Sequence, residues 1–325
     1  MNKVLQSTGA FWNSVDWKAL LKNIREFFNS YVFYIFETLA ACLFVATSQE
    51  VVGAVCFVAL IAFILLICDD ILPTTLPFLL ISAFTTNCYD SFDTFFPYIK
   101  YAPAVALCLI FHFIFYRKPM KTGESAYGIL AVGVAIMLGG IGNFSLKEYA
   151  IGSYYMLGLG FGMLATYFLM KSQFSVKRDY DIKIRFSAIM TFLGLLCVFI
   201  IASGYYKSYK GIPTSYALGF SRNNISTLLM FAMPFPLFLA LKRPWTAILS
   251  PVFYAAIAVS TSRGGLLFGS VEILVCCAYW VFCGKKRLFR TLLCLAALLL
   301  IFLCFGQIII DVIQDRFLAD DVITG

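Results

Sequence analysis

Charged residues are scarce in this sequence of 325 residues. Only 13% are Asp, Glu, Lys or Arg, against roughly a quarter in soluble domains, so an ordinary soluble enzyme is excluded. There is one histidine, His112, and the eleven cysteines form no CxxC pair. The sequence therefore offers no ligand set for a metal site. Phosphate-binding loops, nucleophile elbows and dinucleotide fingerprints are also lacking, and we expect no metal and no cofactor.

Hydrophobic residues, by contrast, make up 61% of the chain, and the mean hydropathy is +0.87. They occur in runs close to the roughly 20 residues that a helix needs to cross a bilayer. We predict an all-α, polytopic membrane bundle of about 11 transmembrane helices in one domain, residues 31–310. The predicted runs are approximately 32–48, 51–68, 72–87, 99–116, 125–142, 149–170, 186–203, 224–241, 245–260, 264–283 and 289–310. The third run is short and contains two prolines, so a re-entrant segment stays open there.

The basic residues predict the orientation of these helices. Most of the 25 lysines and arginines lie in loops that alternate along the chain, and positive charge is retained in the cytoplasm. This pattern predicts a cytoplasmic N-terminus and gives no indication of a nucleic-acid partner. Residues 1–30 interleave aromatic and basic residues and are predicted to be a cytoplasmic amphipathic segment at the bilayer surface. Residues 311–325 would then begin an extracytoplasmic loop, which we expect to be cut at the end of this sequence.

Charges inside predicted spans are candidates for function, because burying a charged side chain in a bilayer costs free energy. Glu37 and Glu272 are the two such acids. Glu272 either handles a proton or substrate, or forms a buried hydrogen bond to a neighbouring helix. His112 lies in an aromatic run and is expected to be a packed side chain.

Four further charges are predicted to be solvated in loops. Asp69 and Asp70 follow the second run on the cytoplasmic side. Lys207 and Lys210 fall in the outer loop before the eighth run. None of the four is assigned a function.

Arg263 occupies a short turn between the ninth and tenth runs, in the segment STSRGGLL (Ser260–Leu267). The turn is predicted on the outer face, where the topology rule disfavours positive charge. Gly264 and Gly265 allow a tight turn and close approach of a ligand, and the N–H groups that open the next helix favour an anion. Arginine can bind a phosphate through two parallel hydrogen bonds. The alternative is an arginine that reaches outer-leaflet headgroups.

A second outer arginine, Arg222, stands before the eighth run and is followed by Asn223 and Asn224. Asparagines at a helix start either cap the helix or present hydrogen-bond donors there. Two arginines at two helix starts predict a site for a pyrophosphate whose lipid tail lies in the bilayer.

The segment GFSRNN (Gly219–Asn224), an inner KRP turn (Lys242–Pro244) and STSRGG together resemble the O-antigen ligase and polymerase family, over about residues 205–285. The resemblance implies a GT-C-like glycosyltransferase of the bacterial cytoplasmic membrane. Such an enzyme takes a glycan from an undecaprenyl-diphosphate carrier on the outer face and transfers it to a glycan or lipid acceptor, without metal or cofactor. It also implies donor pyrophosphate binding by Arg222 and Arg263, with Asn223, Asn224, Ser262 and Gly264 in support.

The resemblance leaves the catalytic residue unknown. Family members carry a histidine in a large outer loop after the eleventh span, and no histidine follows His112 in this sequence. A multi-pass transporter or flippase of lipid-linked oligosaccharide would have much the same composition, although it should show internal repeats and none is evident. A purely structural membrane protein would leave Arg222 and Arg263 unexplained.

Overall fold

The computed structural model describes residues 16–87, 98, 101–116, 125–141, 156, 160–164, 167–168, 171, 178, 180–211, 222–260, 262–283 and 287–313. In this part of the chain the backbone forms helices and turns, with no strand. The helices are α1 (Trp17–Phe28), α2 (Tyr31–Ala46), α3 (Glu50–Ile67), α4 (Thr75–Asn87), α5 (Ala102–Phe115), α6 (Ser125–Ile141), α7 (Ile182–Tyr209), α8 (Arg222–Ala232), α9 (Phe235–Ala240), α10 (Leu249–Val259), α11 (Arg263–Phe282) and α12 (Arg287–Ile313). Short 3₁₀ turns precede α4 and α10, at Leu72–Thr74 and Pro244–Ile248.

Among the described residues, four helical segments are long and apolar enough to cross a bilayer. They are Glu50–Ile67, Ile182–Tyr209, Asn223–Ala240 and Arg263–Phe282. A fifth is obtained if Lys18–Phe28 and Tyr31–Ala46, which meet at a 64° bend, form one span. The prediction of an all-helical membrane protein is confirmed at this level. Ten of the predicted apolar runs coincide with helices, whereas most of 149–170 lies outside the described residues.

The exposed sides of these helices are apolar. Large side chains such as Leu43, Phe268 and Leu303 are 64%, 65% and 72% exposed, and an apolar surface of this extent is stable in lipid but not in water. The long apolar helices and their apolar surface identify the chain as a helical membrane protein.

The N-terminal segment is described from residue 16 onward, so the first half of the predicted amphipathic segment lies outside the described residues. Asp16 caps α1 by accepting hydrogen bonds from the N–H groups of Lys18 and Ala19. The Arg25 side chain donates to the carbonyl of Ile67 at the end of α3, over 2.9 Å. A cation at a helix C-terminus donates to a carbonyl that has no partner within the helix, and it interacts favourably with the helix dipole. The position of α1 at the bilayer surface stays a prediction.

The chain divides into two compact units. Helices α1 to α4 and α7 to α12 belong to the larger unit, and α6 with residues 69–71 belongs to the smaller one. In the smaller unit, the Asp70 carboxylate accepts two hydrogen bonds from Arg178, over 2.8 and 2.9 Å, and both side chains are nearly buried. The prediction of a solvated Asp70 is therefore wrong, because an arginine 108 residues away in sequence pairs with it.

Helix α7 is the centre of the larger unit. It packs against α2, α4, α8, α9 and α10, and 61% of its most apolar stretch is buried, compared with 33% for α3 and α11. Gly194 allows the closest contact, because the fully buried ring of Phe253 from α10 occupies the space where a Cβ atom would lie. This contact fixes α10 against α7, and α10 leads directly to the turn that holds Arg263.

The eighth predicted run, 224–241, is broken into α8 and α9 at Pro234. Proline lacks an N–H group and interrupts the helical ladder. The N–H of Leu237 donates to Pro234 over 3.2 Å, and the carbonyl of Met233 accepts instead from the Ser250 hydroxyl of α10 over 2.6 Å. The hydroxyl satisfies a carbonyl that would otherwise be unpaired in the core.

Lys207 is buried, contrary to the prediction of a solvated loop charge. It lies within α7, which continues to Tyr209, and its ammonium donates to the carbonyl of Val45 over 2.6 Å and to the hydroxyl of Ser48 over 2.8 Å. Ser48 has a positive φ of 56° just after the end of α2. Lys207 thus donates hydrogen bonds to acceptors at the C-terminal end of α2. Lys210, by contrast, is exposed as expected.

Replacing Lys207 with methionine is expected to lower the free energy of unfolding by about 1–3 kcal/mol, because the buried carbonyl of Val45 loses a charged donor. Lys210→Met, at the exposed end of the same helix, is the matched control and is expected to change it by less than about 0.5 kcal/mol. Thermal unfolding of both variants in detergent measures the difference. Equal effects would contradict the capping role of Lys207.

Candidate functional site

Two helix starts meet at one end of the larger unit. Ser262 is the N-cap of α11 and accepts a hydrogen bond from the N–H of Gly265 over 3.1 Å. Its hydroxyl donates to Oδ1 of Asn223, in the first turn of α8, over 2.9 Å. One serine therefore caps its own helix and holds the start of another, 39 residues away in sequence.

A pair of serine hydroxyls makes a second contact between α8 and the segment before α11. Ser226 of α8 and Ser260, at the end of α10, are both fully buried, and their oxygens are 2.6 Å apart. Gly265 makes this close approach possible, because a Cβ atom there would lie 2.9 Å from Cβ of Ser226 and 3.0 Å from Cγ2 of Ile257. The starts of α8 and α11 and the end of α10 are thus held together.

A cavity of about 410 Å³ opens between α8 and α11 beside these contacts. Its lining is Asn223, Thr227, Met230, Ser262, Arg263, Gly264, Gly265 and Phe268. Asn223, Ser262 and Arg263 stand at the helix starts, Thr227 lies one turn into α8, and Met230 lies about 10 Å from Asn223 along the axis of α8. The lining is therefore polar at the helix starts and becomes apolar further along α8, which suits an amphipathic molecule.

Arg263 supplies the positive charge of this cavity. It is the first residue of α11 and is exposed. No acidic residue occurs in the described lining, and no carboxylate of the described residues forms an ion pair with Arg263. A guanidinium at a helix start, beside N–H groups that have no intrahelical partner, is suited to bind an anion.

Four of the six predicted site residues line this one cavity, namely Asn223, Ser262, Arg263 and Gly264. Arg222 begins α8 directly before Asn223, but its side chain lies outside the part that the structure describes. Asn224 is exposed and is not among the described lining residues. The assignment of all six to an anion site stays a prediction.

The sequence interpretation missed three residues that line the cavity: Thr227, Met230 and Phe268. Asn223, Thr227 and Met230 are spaced by four and three residues and so lie on one face of α8. Phe268 follows Gly264 by four residues on α11. This helical spacing from the predicted polar residues was the signal that could have found them.

The other candidates are not among the described lining residues. Glu37 is fully buried on α2 and Glu272 is half-buried on α11. His112 is 1% exposed and its ring lies 5.2 Å from that of Tyr116, which agrees with the predicted packing role. The residues that the structure describes contain no cluster of three or more His, Cys, Asp or Glu side chains suited to a metal ion.

We compared the chain with protein families, with curated proteins and with solved structures. No family model, no curated protein and no solved structure matches it.

Proposed function

We propose that the protein is a membrane glycosyltransferase of the O-antigen ligase or polymerase type. Its donor is a glycan linked to undecaprenyl diphosphate, and its acceptor is a hydroxyl of a glycan or lipid. The observation that carries the proposal is the single cavity in which Arg263, Asn223, Ser262 and Gly264 come together. These residues belong to the two segments, GFSRNN and STSRGG, on which the resemblance to that family rests.

The chemistry of the cavity favours a diphosphate lipid. Glycan transfer from such a donor releases a diphosphate, and an arginine held in place beforehand stabilises the charge that develops on it. Met230 and Phe268 at the apolar end would contact the first part of the hydrocarbon chain. Arg222, which precedes Asn223 in sequence, would supply a second cation to the same diphosphate.

The site is proposed on the outer face of the bacterial cytoplasmic membrane. The arrangement is a GT-C-like bundle of about eleven spans with a cytoplasmic N-terminus. In support, the turn with Arg263 and the basic turn with Lys242 and Arg243 stand at opposite ends of α10. Basic turns are retained in the cytoplasm, which supports a position of the cavity on the other side.

The proposal is tested by reconstituting the protein in lipid nanodiscs and titrating undecaprenyl diphosphate. Undecaprenyl monophosphate and undecaprenol are the matched controls. We expect binding to weaken at least tenfold for each phosphate removed, because each loses charge-assisted hydrogen bonds. Equal affinity for the three lipids would contradict a diphosphate site.

The same protein in vesicles with an undecaprenyl-diphosphate-linked oligosaccharide tests the reaction. Consumption of the donor with an acceptor supports a transferase. Movement of the intact lipid between leaflets without consumption would instead identify a flippase.

A further inference from the structure

The polar side chains of the cavity differ in whether they still have a proton to donate. The single hydroxyl proton of Ser262 goes to Oδ1 of Asn223. The hydroxyl proton of Thr227 goes to the backbone carbonyl of Asn223, over 2.8 Å. Both hydroxyls are therefore committed as donors within the protein and have only acceptor capacity left.

The backbone N–H groups of Gly265 and Leu266 in α11 are committed in the same way. The N–H of Gly265 donates to the Ser262 side chain, and the N–H of Leu266 donates to the Ser262 carbonyl. Two side-chain donor groups remain in the described lining, the Arg263 guanidinium and the Nδ2 amide of Asn223. No described residue accepts a hydrogen bond from Nδ2 of Asn223.

Ser262 determines which end of the Asn223 amide is available. An asparagine presents an acceptor oxygen and a donor nitrogen, and a neighbouring donor decides between them. The Ser262 hydroxyl donates to Oδ1, whereas in the flipped amide Nδ2 would have to donate to the same hydroxyl and would no longer be available to a ligand. The hydrogen bond from Ser262 therefore stabilises the orientation in which the nitrogen remains for a ligand.

We propose that Asn223 is a specificity-determining donor of this cavity and that Ser262 is its positioning residue. Nδ2 of Asn223 donates to an anionic oxygen of the ligand that Arg263 binds. This inference rests on the proposed function for the identity of that ligand, a diphosphate lipid. Because Asn223 Nδ2 and Arg263 are both donors, the pair donates to phosphate oxygens and disfavours headgroups that end in an ammonium group.

Two substitutions of Asn223 separate this role from a merely structural one. Asn223→Asp has nearly the same shape and still accepts from Ser262, but it replaces the donor with a carboxylate oxygen. Asn223→Leu fills a similar volume and removes both polar atoms without adding charge. A structural role predicts that Asp, which keeps the hydrogen bond from Ser262, is tolerated and that Leu is harmful. The donor role predicts that both variants weaken anion binding, and that Asp weakens it more because its charge also repels the anion.

The experiment measures binding of undecaprenyl diphosphate and of inorganic pyrophosphate to the full chain in nanodiscs. We expect the dissociation constant to rise about 100-fold for Asn223→Asp and about 10-fold for Asn223→Leu, with the same order for both probes. Ser262→Gly, a change that helix N-caps tolerate within a few tenths of a kcal/mol, is expected to raise it about 5-fold. Thermal unfolding of each variant confirms that the bundle is intact.

The outcomes distinguish this inference from the proposed function. If the wild-type protein binds pyrophosphate but shows no preference for the diphosphate lipid, the proposed function fails while the order of the variants still tests the donor role. If the wild-type protein binds the lipid and Asn223→Asp binds as tightly as Asn223→Leu or more tightly, the donor role alone is overturned. Binding of neither probe to the wild-type protein overturns both.

Discussion

Replacing Arg263 with lysine is expected to weaken binding of undecaprenyl diphosphate about 100-fold, with the bundle intact. Lysine keeps the positive charge but presents a single ammonium in place of a planar fork, so it cannot donate two parallel hydrogen bonds to one phosphate. A 100-fold loss corresponds to about 2.8 kcal/mol, which is within the range of hydrogen bonds to charged groups. Arg263 is exposed, so its replacement leaves the packing of α11 unchanged.

Arg243→Lys is the matched control for this variant. Arg243 is also exposed, and it stands at the other end of α10, before the Pro244–Ile248 turn. Its replacement is expected to change the affinity by less than 3-fold. Titration of the lipid into nanodiscs measures both variants. If Arg263→Lys binds undecaprenyl diphosphate as tightly as the wild type does, Arg263 only extends its charge to the headgroups of the outer leaflet, which lysine does equally well.

The helical architecture and part of the site could be predicted from sequence because both depend on local patterns. Apolar runs predict the helices, and the short turn before the tenth run predicts a helix start beside Arg263. Arg263 does begin α11, whereas the cap formed by Ser262 was not predicted. Four of the predicted residues share a cavity because two such starts lie at the same end of the bundle.

The contacts that the sequence could not predict join residues far apart in the chain. In the sequence, Lys207 resembles a solvated loop charge. In the structure it lies beside the end of α2 and donates to Ser48, which is 159 residues away in sequence. Asp70 was predicted to be solvated, but in the structure it pairs with Arg178. Polar residues of a membrane protein are satisfied by whichever helix packs next to them, and hydropathy carries no information about that neighbour. The same holds for the hydrogen bond from Ser262 to Asn223.

The cavity depends on how closely the helices pack at one of its lining glycines, Gly265. Gly265 is buried where α8, α10 and α11 converge, and its lack of a side chain lets Ser226 approach. The approach of α8 in turn brings Asn223 within reach of Ser262. Around Gly264, one residue earlier, no atom of the described residues outside the adjoining backbone lies within 4 Å of the place where a Cβ would lie. The two adjacent glycines both line the cavity, but only Gly265 also has a role in helix packing.

Gly265→Ala is consequently expected to lower the free energy of unfolding by about 1–3 kcal/mol, since the added methyl overlaps Ser226 and Ile257 in a tightly packed junction. Gly264→Ala is expected to leave it unchanged or to raise it by up to about 1 kcal/mol, because alanine favours the helix and meets open space. Thermal unfolding in detergent measures the pair. Lipid titration adds a second readout. Gly265→Ala should weaken lipid binding because it separates α8 from α11. Gly264→Ala should weaken lipid binding only if the bound lipid contacts the backbone at Gly264. Equal stability of the two variants would show that the junction yields easily and that Gly265 does not set the distance between the two helix starts.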